Sequence, residues 1–259
     1  LAEGLQLGTV DAAIVATATV SGFCPEIQLF DLPFLFKNSE HVYEVLDGEI
    51  GEQLKDIFHE QSGIVALSFP ENGWRQVTNS KHAVTKASDM EGLKIRVMEI
   101  PCHLDYWKSL GCDPTPMAWT EVYTALQQGT VDGQENPVQT IYTQKIYEVQ
   151  KYMCLDGHTY GAESILINLD YYNNLPAEIQ TAIDEAAAYA GEQQRAAVSA
   201  NEAAQLQQIK DAGVIVCEDP DITSFQEATA ELYLRPEVQA IVSPELTEMV
   251  RSAAEAAAK

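Results

Sequence analysis

Arginine is the residue type that points most directly to chemistry in this sequence, because it is scarce in a strongly acidic chain. The 259 residues include 39 Asp and Glu against 15 Lys and Arg, which gives a formal net charge of −24. The five arginines are Arg75, Arg96, Arg195, Arg235 and Arg251. An arginine that leaves solvent must meet an anion, because burying an unpaired charge costs too much free energy. Arg75 and Arg96, which lie close together in the chain, are therefore the first candidates for binding an anion.

Arg96 lies in the segment GLKIRV, where Leu93, Ile95 and Val97 alternate with Lys94 and Arg96. This alternation predicts a short strand. One interpretation is a strand with one solvated face, on which Arg96 has no special role. The other follows from the sheets of α/β folds, which are usually covered on both faces. A covered Arg96 would require an anionic partner.

Four further side chains are candidates for a binding site, and each has an alternative. Arg75 and Trp74 lie in PENGWRQVTN, where a loop leads into a strand, and a surface salt bridge is the alternative for the arginine. Trp119 precedes a predicted helix, where an aromatic ring either packs on the helix or forms a wall of a pocket. Asn136 stands before a proline, which favours extended backbone, and its amide is otherwise a cap. His158, in the turn DGHTYG, is otherwise a structural histidine.

Composition and missing motifs exclude several classes of function. A surface this acidic repels nucleic acid and anionic membranes. The sequence lacks the motifs GxSxG, GxxxxGKS, GxxxxGKT, GxGxxG and HExxH, so we expect no cofactor and no metal. The longest uncharged run, residues 12–25, has 14 residues, too few for a membrane span. Its five cysteines are widely spaced, and we expect buried or inert thiols.

A repeated phrase organises the chain: LQLGTVD at residues 5–11 returns as LQQGTVD at residues 126–132. Leu-Gln is typical of a helix, Gly of a left-handed C-terminal cap, and Thr-Val of a strand. Each copy therefore predicts a helix, a cap and a strand, unless two helix ends agree by coincidence. Other segments alternate as an α/β fold requires. Helices are predicted at 39–60, 100–110, 120–128, 139–149, 176–212 and 222–234, and strands at 64–68, 93–97 and 165–168.

Together these segments resemble the substrate-binding proteins of tripartite ATP-independent periplasmic (TRAP) transporters, the DctP-like family. The resemblance rests on DLPFLF at 31–36, GLKIRV at 92–97 and the run PTPMAWTEVYTALQQGTVDGQENP at 114–137. It continues through YEVQK at 147–151 and NLPAEIQTAI at 174–183. The central run of 24 residues is its most specific part.

The resemblance implies an α/β protein with a two-lobed periplasmic-binding-protein fold (type II-like). Its lobes are joined by crossing strands, expected near 71–74 and 161–164, and by a long hinge-spanning helix. We expect lobe I to hold residues 1–72 and 162–205, and lobe II residues 73–161 and 206–259. The family begins with a strand, a helix and a strand before the first LQxGTVD, and these are not in this sequence. We expect the chain to lack that N-terminal part, with its signal peptide.

The resemblance also assigns roles to the candidate residues. Arg96 is expected to pair with the carboxylate of a small organic acid, Asn136 to supply an accompanying amide and Arg75 a second basic contact. Trp119 matches an aromatic wall, and Trp74 is bulkier than the family pattern, which fits either an aromatic ligand or a packed hinge. Arginine suits this role because its planar fork forms two parallel hydrogen bonds with a carboxylate. The partners implied are the acid and the TRAP membrane subunits, in the periplasm, and we expect a monomer.

Two other classes of function remain open at this point. An enzyme on the same scaffold would use His158 with Glu163 or Asp132 as its acid and base. Without an adjacent nucleophile, metal cluster or phosphate loop, the sequence gives that hypothesis little support. A structural or assembly module would bind no small molecule at all.

Overall fold

The computed structural model describes residues 1–257, and these residues form a mixed α/β fold. The strands of this part of the chain are β1 (Ala12–Ala16), β2 (Ile64–Ser68), β3 (Glu71–Asn79), β4 (Lys94–Val97), β5 (Asp113–Pro116), β6 (Gly133–Pro137), β7 (Tyr152–Cys154), β8 (Tyr160–Asn168) and β9 (Ile215–Cys217). The helices are α1 (Ala2–Gln6), α2 (Ser39–Asp47), α3 (Glu49–Ser62), α4 (Pro101–Ser109), α5 (Trp119–Gln128), α6 (Val138–Thr143), α7 (Leu169–Asn173), α8 (Ala177–Asp211), α9 (Ile222–Thr229), α10 (Pro236–Gln239) and α11 (Pro244–Ala257).

The two copies of the repeated phrase form the same local structure, as predicted. Helix α1 leads through Gly8 to β1, and α5 leads through Gly129 to β6. Gly8 and Gly129 have φ angles of 68° and 70°, in the left-handed region that glycine enters without a steric penalty. The second copy matters most for function, because it ends one residue before β6, which carries Asn136.

Two long strands connect the lobes of the sheet, close to the crossings predicted from the sequence. Residues 163–167 of β8 lie antiparallel to β1, and residues 165–168 also lie antiparallel to β2. Residues 75–79 of β3 pair with β6, whose other neighbour is β4, and β7 also pairs with β3. The remaining parts of β3 and β8 pair with each other, through Glu71 with Ala162 and Trp74 with Tyr160. The chain is therefore held by continuous strands at the junction between lobes.

Helix α8 braces both lobes, as its length predicts. Its 35 residues extend about 52 Å at 1.5 Å per residue. Near its middle, the Ala187 carbonyl accepts a 2.9 Å hydrogen bond from Ser68 on β2. Arg195 donates to Asp47 and to the Phe69 carbonyl, both at 2.6 Å. Further along, Gln208 accepts a hydrogen bond from Tyr142 on α6.

Several predicted element bounds differ from the structure for local reasons. The helix predicted at 39–60 is two helices, because Gly48 adopts an extended conformation between α2 and α3. The helix predicted at 139–149 ends as α6 at Thr143, before Lys145 enters the left-handed region and a short 3-10 turn follows. The helix predicted at 222–234 likewise turns into a 3-10 segment at Ala230.

The residue boundaries of the lobes stay a prediction, but the packing of the C-terminal helix bears on them. Helix α11 was assigned to lobe II together with residues 206–259. It packs against α2 of lobe I, where the imidazole Nε2 of His41 lies 2.7 Å from the Val250 carbonyl oxygen. Helix α11 is described through Ala257, and Ala258 and Lys259 lie outside the described residues.

The left-handed cap at Gly129 gives a stability prediction. An alanine there would meet no neighbouring atom, so its cost is the strain of the left-handed backbone. We expect Gly129→Ala to lower the free energy of unfolding by about 1 kcal/mol and the melting temperature by about 2–4 °C. Gly22→Ala is the control, because Gly22 has equal space and no left-handed backbone. Thermal and urea unfolding check this, and equal stability of the two variants would contradict it.

Candidate functional site

A cavity of about 690 Å³ opens between the lobes, and both lobes line it. Lobe I contributes the end of β1 with the turn that follows it, and Glu163 of β8. Lobe II contributes the ends of β4 and β6, the start of α5 and one face of α6. Four of the six predicted site residues line this cavity: Arg96, Arg75, Asn136 and Trp119.

Arg96 is a buried cation without a carboxylate partner among residues 1–257. It lies on β4, between β5 and β6, and its residue is only 3% exposed. Its Nε and Nη2 atoms donate to the Met117 carbonyl at 2.9 and 2.7 Å. Of the five N–H groups of a guanidinium, three therefore have no partner in the described chain. Burial lowers the pKa of Arg96 to about 10, so it stays protonated at neutral pH.

Trp119 and Asn136 frame this guanidinium. The indole ring lies over it, with 5.6 Å from the guanidinium carbon to the ring centroid. The helix predicted at 120–128 begins one residue earlier, at Trp119, and Ala118 is its N-cap residue, without a side-chain hydrogen bond. Asn136 lies in extended backbone on β6, as its proline predicts, and its amide donates to Gln134 at 2.6 Å. The other amide N–H of Asn136 has no hydrogen-bond partner within the described chain.

Arg75 lines the cavity but its charge is already neutralised. Its Nε is ion-paired with a carboxylate oxygen of Glu135, and its Nη2 donates to the other oxygen at 2.9 Å. The same Nη2 donates to the Glu135 carbonyl at 2.9 Å and to the Asn136 side-chain oxygen at 3.1 Å. Arg75 thus fixes the amide of Asn136, and only its Nη1 is left without a partner in the described structure. Arg75 and Arg96 are not equivalent cations.

Two predicted site residues lie outside the cavity. Trp74 packs edge-on against Tyr160, with ring centroids 5.6 Å apart, and donates a 3.0 Å hydrogen bond from Nε1 to Ser39. It is a packed residue of the strand crossing. His158 is fully buried behind β6 and stacks on Tyr106 with centroids 5.2 Å apart. The sequence could not place either side chain, because their contacts are distant in the chain: Ser39 and Tyr160 for Trp74, and Tyr106 for His158.

Behind the cavity, His158 belongs to a buried network centred on Glu135. Its Nδ1 lies 2.8 Å from Asp156 and its Nε2 lies 3.3 Å from Glu135. His103 of α4 lies 2.9 Å from Asp31 and 3.6 Å from Glu135. Burial alone would raise the pKa of Glu135, but Arg75 and the two histidines hold it well below its usual range. The network joins Asp31 of the DLPFLF segment in lobe I to β6 in lobe II.

Sequence reasoning missed Glu135, although a signal was present. It lies between Gln134 and Asn136 in the strand QENP, all of whose residues are buried. The argument used for Arg96, that a covered strand buries its charges, applies equally to this carboxylate. Glu163 was considered only as a catalytic residue, yet it lines the cavity. Burial raises the pKa of Glu163 to about 7, although Arg75 opposes the effect.

The remaining chemical groups show no second kind of site. No group of three or more His, Cys, Asp or Glu side chains that could hold a metal ion occurs within the described residues. In that part of the chain, no helix is both long and apolar enough to cross a bilayer. The five cysteines are free, and burial raises the pKa of Cys24 to about 11 and those of Cys102 and Cys112 to about 12. Cys24, Cys102 and Cys112 are therefore protonated at neutral pH, and a protonated thiol is a poor nucleophile.

A two-lobed α/β protein whose interlobe cavity exposes a buried, unpaired guanidinium has the form of a receptor for a small anionic solute. Comparison with known families agrees: the chain belongs to family 7 of the bacterial extracellular solute-binding proteins, DctP, whose model matches residues 1–239. The resemblance stated from the sequence is confirmed.

Known relatives extend over most of the chain. It is 37% identical to the 2,3-diketo-L-gulonate-binding periplasmic protein of Escherichia coli, over 87% of this chain and 69% of that one. A TRAP periplasmic solute-binding protein from Polaromonas, bound to D-erythronate, superposes with a TM-score of 0.92 at 38% identity, covering 96% of this chain and 81% of the other. The sugar acid binding protein of Advenella mimigardefordensis, in complex with galactonate, gives 0.92 at 36%, with coverage of 99% and 82%.

The buried network predicts a dependence of stability on pH. Burial alone would lower the pKa of His158, but Asp156 and Glu135 outweigh it and raise the pKa from 6.5 to about 9. A raised folded-state pKa stabilises the protein fully below pH 6.5, and this stability is lost as pH rises through 9. Between pH 7 and 8.5 we expect the contribution of His158 to the free energy of unfolding to fall by about 2 kcal/mol.

Urea unfolding of the wild type and His158→Gln at these two pH values measures this contribution, because the difference between the two proteins cancels the other titrating groups. We expect the stability advantage of the wild type to shrink by about 2 kcal/mol as the pH rises. An advantage that is the same at both pH values would show that His158 does not carry a proton in the network.

Proposed function

We propose that this chain captures a small organic acid in the interlobe cavity and delivers it to the membrane subunits of a TRAP transporter. The observation that carries the proposal is the unpaired guanidinium of Arg96. Three N–H groups of a buried cation face a cavity lined from both lobes. A carboxylate would satisfy them with two parallel, charge-assisted hydrogen bonds.

The surrounding groups favour a carboxylate over other anions. The guanidinium of Arg96 is planar, which matches the planar shape of a carboxylate group, and Asn136 lines the same cavity with one amide N–H available. Trp119 covers one face of this donor set and reduces the access of water, which strengthens the ionic hydrogen bonds. The ligands named for the relatives, 2,3-diketo-L-gulonate, D-erythronate and galactonate, are all carboxylic acids.

Binding without catalysis fits the site better than the enzyme hypothesis. Of the three residues considered as acid or base, Glu163 alone lines the cavity. His158 is buried in the network behind the cavity. Asp132 accepts a 2.9 Å hydrogen bond from the backbone N–H of Lys94 and forms an ion pair with Lys81. Membership of an extracellular solute-binding family supports a location outside the cytoplasm, in the periplasm.

The two-lobed architecture supplies the signal for delivery. A ligand held by Arg96 of lobe II that also touches the end of β1 in lobe I stabilises the closed arrangement of the lobes. The membrane subunits would then recognise the closed arrangement. The continuous strands β3 and β8 at the crossing provide the hinge.

Arg96 gives the direct test of the proposal. A thermal-shift screen of carboxylates, neutral sugars and amino acids identifies the best ligand, because binding at about 100 times Kd adds roughly 2.7 kcal/mol to stability. For that ligand, we expect Arg96→Ala to weaken binding by about 100-fold or more and Arg96→Lys, which keeps the charge and loses the fork, by about 10-fold. Isothermal titration calorimetry measures both.

Arg251→Ala is the matched control. Arg251 lies on the exposed side of α11, over the ring of Tyr233, and does not line the cavity. Its loss should leave Kd within about twofold, because an exposed distant charge is screened by salt. Folded Arg96→Ala that binds as tightly as the wild type would overturn the site, and a screen in which carboxylates cause no shift would overturn the function.

A further inference from the structure

Glu163 lines the same cavity as Arg96 and has the opposite charge. Capture of a carboxylate by Arg96 gives Glu163 no role. Glu163 lies on β8, paired with Ala16 of β1, and both residues line the cavity. Side chains two residues apart on a strand share a face, so Glu163 lies on the same face as Gly161. A methyl group on Gly161 would lie 3.6 Å from Nη1 of Arg75. This face of β8 is therefore turned toward Arg75 and the cavity.

The carboxylate of Glu163 has no partner within the described chain. Neither a hydrogen bond nor an ion pair to its side chain is formed there, although the residue is half-buried. Arg75, the nearest candidate cation, is already ion-paired with Glu135 on two atoms. The raised pKa of Glu163, about 7, is the expected consequence of a carboxyl group that lacks compensation.

The charges of the cavity therefore balance one ligand carboxylate and disfavour two. Arg96 and Arg75 are the basic residues of its lining, and Arg75 is neutralised. A second carboxylate on the ligand would find no free cation among the described residues of the lining and would face Glu163. Among the other polar residues of the lining, Glu99 is charged but exposed. The rest carry uncharged hydroxyl or amide groups: Thr19, Ser21, Asn72, Asn136, Thr140 and Gln144. Such groups bind hydroxyls.

We propose that Glu163 is a specificity residue that accepts a hydrogen bond from a hydroxyl group of the ligand and excludes a second carboxylate. The inference rests on the proposed function and narrows it to polyhydroxylated monocarboxylic acids, as opposed to dicarboxylic acids. The ligand hydroxyl group donates a hydrogen bond and the Glu163 carboxylate accepts it. Because the acceptor is charged, this is a charge-assisted hydrogen bond. Two carboxylates at the same place repel each other in a site that is partly shielded from water.

Matched pairs of acids test this selectivity. D-Galactonate and galactarate have the same six-carbon chain and differ in a terminal hydroxymethyl or carboxylate group, and D-erythronate and meso-tartrate form the corresponding four-carbon pair. At about pH 8, where Glu163 is ionised, we expect the wild type to bind the better monocarboxylate at least about 100-fold more tightly than its dicarboxylate partner. Isothermal titration calorimetry gives the four dissociation constants.

Glu163→Gln should change the two affinities in opposite directions. The amide still accepts a hydrogen bond but is uncharged, so the monocarboxylate should bind about 3- to 10-fold more weakly. The dicarboxylate should bind at least about 10-fold more tightly, because repulsion is removed and the amide can donate to it. Glu227→Gln, the same change on the exposed surface of α9, is the control and should leave the ratio unchanged.

The possible results distinguish a failure of the Glu163 proposal from a failure of the proposed function. A wild-type protein that binds both members of a pair within about threefold would overturn the role of Glu163 and leave carboxylate capture intact. The same holds for a ratio that is unchanged in Glu163→Gln. Binding of none of the four acids, together with a carboxylate screen without any thermal shift, would overturn the proposed function and the Glu163 proposal with it.

Discussion

The ion pair between Arg75 and Glu135 determines what the rest of the cavity can do. Because Glu135 takes the charge of Arg75 on two atoms, Arg96 is left as the basic residue of the lining without a carboxylate partner. The same pair holds the amide of Asn136 through a hydrogen bond from Arg75. Without Glu135, Arg75 would be a second free cation in the same cavity. A single buried ion pair thus sets both the number and the position of the charges offered to a ligand.

The strand topology makes this arrangement rigid. Glu135 and Asn136 lie on β6, between β3, which carries Arg75, and β4, which carries Arg96. Neighbouring strands lie about 4.8 Å apart, so the three segments bring their side chains together without long loops. Behind them, His158 and His103 pair with acidic partners and keep Glu135 ionised. Since a buried pair loses several kcal/mol when one partner is removed, the network is costly to disturb and holds the ligand groups in one geometry.

Much of the fold and part of the site follow from the sequence. Gly8 and Gly129 end helices before strands, and the alternation around Arg96 indicates a strand; both inferences use only local chemistry. Trp74 and His158 lie outside the cavity because each packs against residues far away in the chain, Tyr160 for Trp74 and Tyr106 for His158. For Glu135, the covered strand QENP indicates only that the carboxylate is buried, because the arginine that pairs with it lies 60 residues away. Pairings over such distances are tertiary facts.

A crystal structure of the chain with D-galactonate or D-erythronate, whichever stabilises it more, tests the central claim most directly. We expect the ligand carboxylate to lie within hydrogen-bond distance of the Arg96 guanidinium and the Asn136 amide, with Glu135 still paired to Arg75. We also expect a ligand hydroxyl group to donate a hydrogen bond to the Glu163 carboxylate. A carboxylate bound elsewhere in the cavity, or one that displaces Glu135 from Arg75, would contradict the claim that this ion pair reserves Arg96 for the ligand.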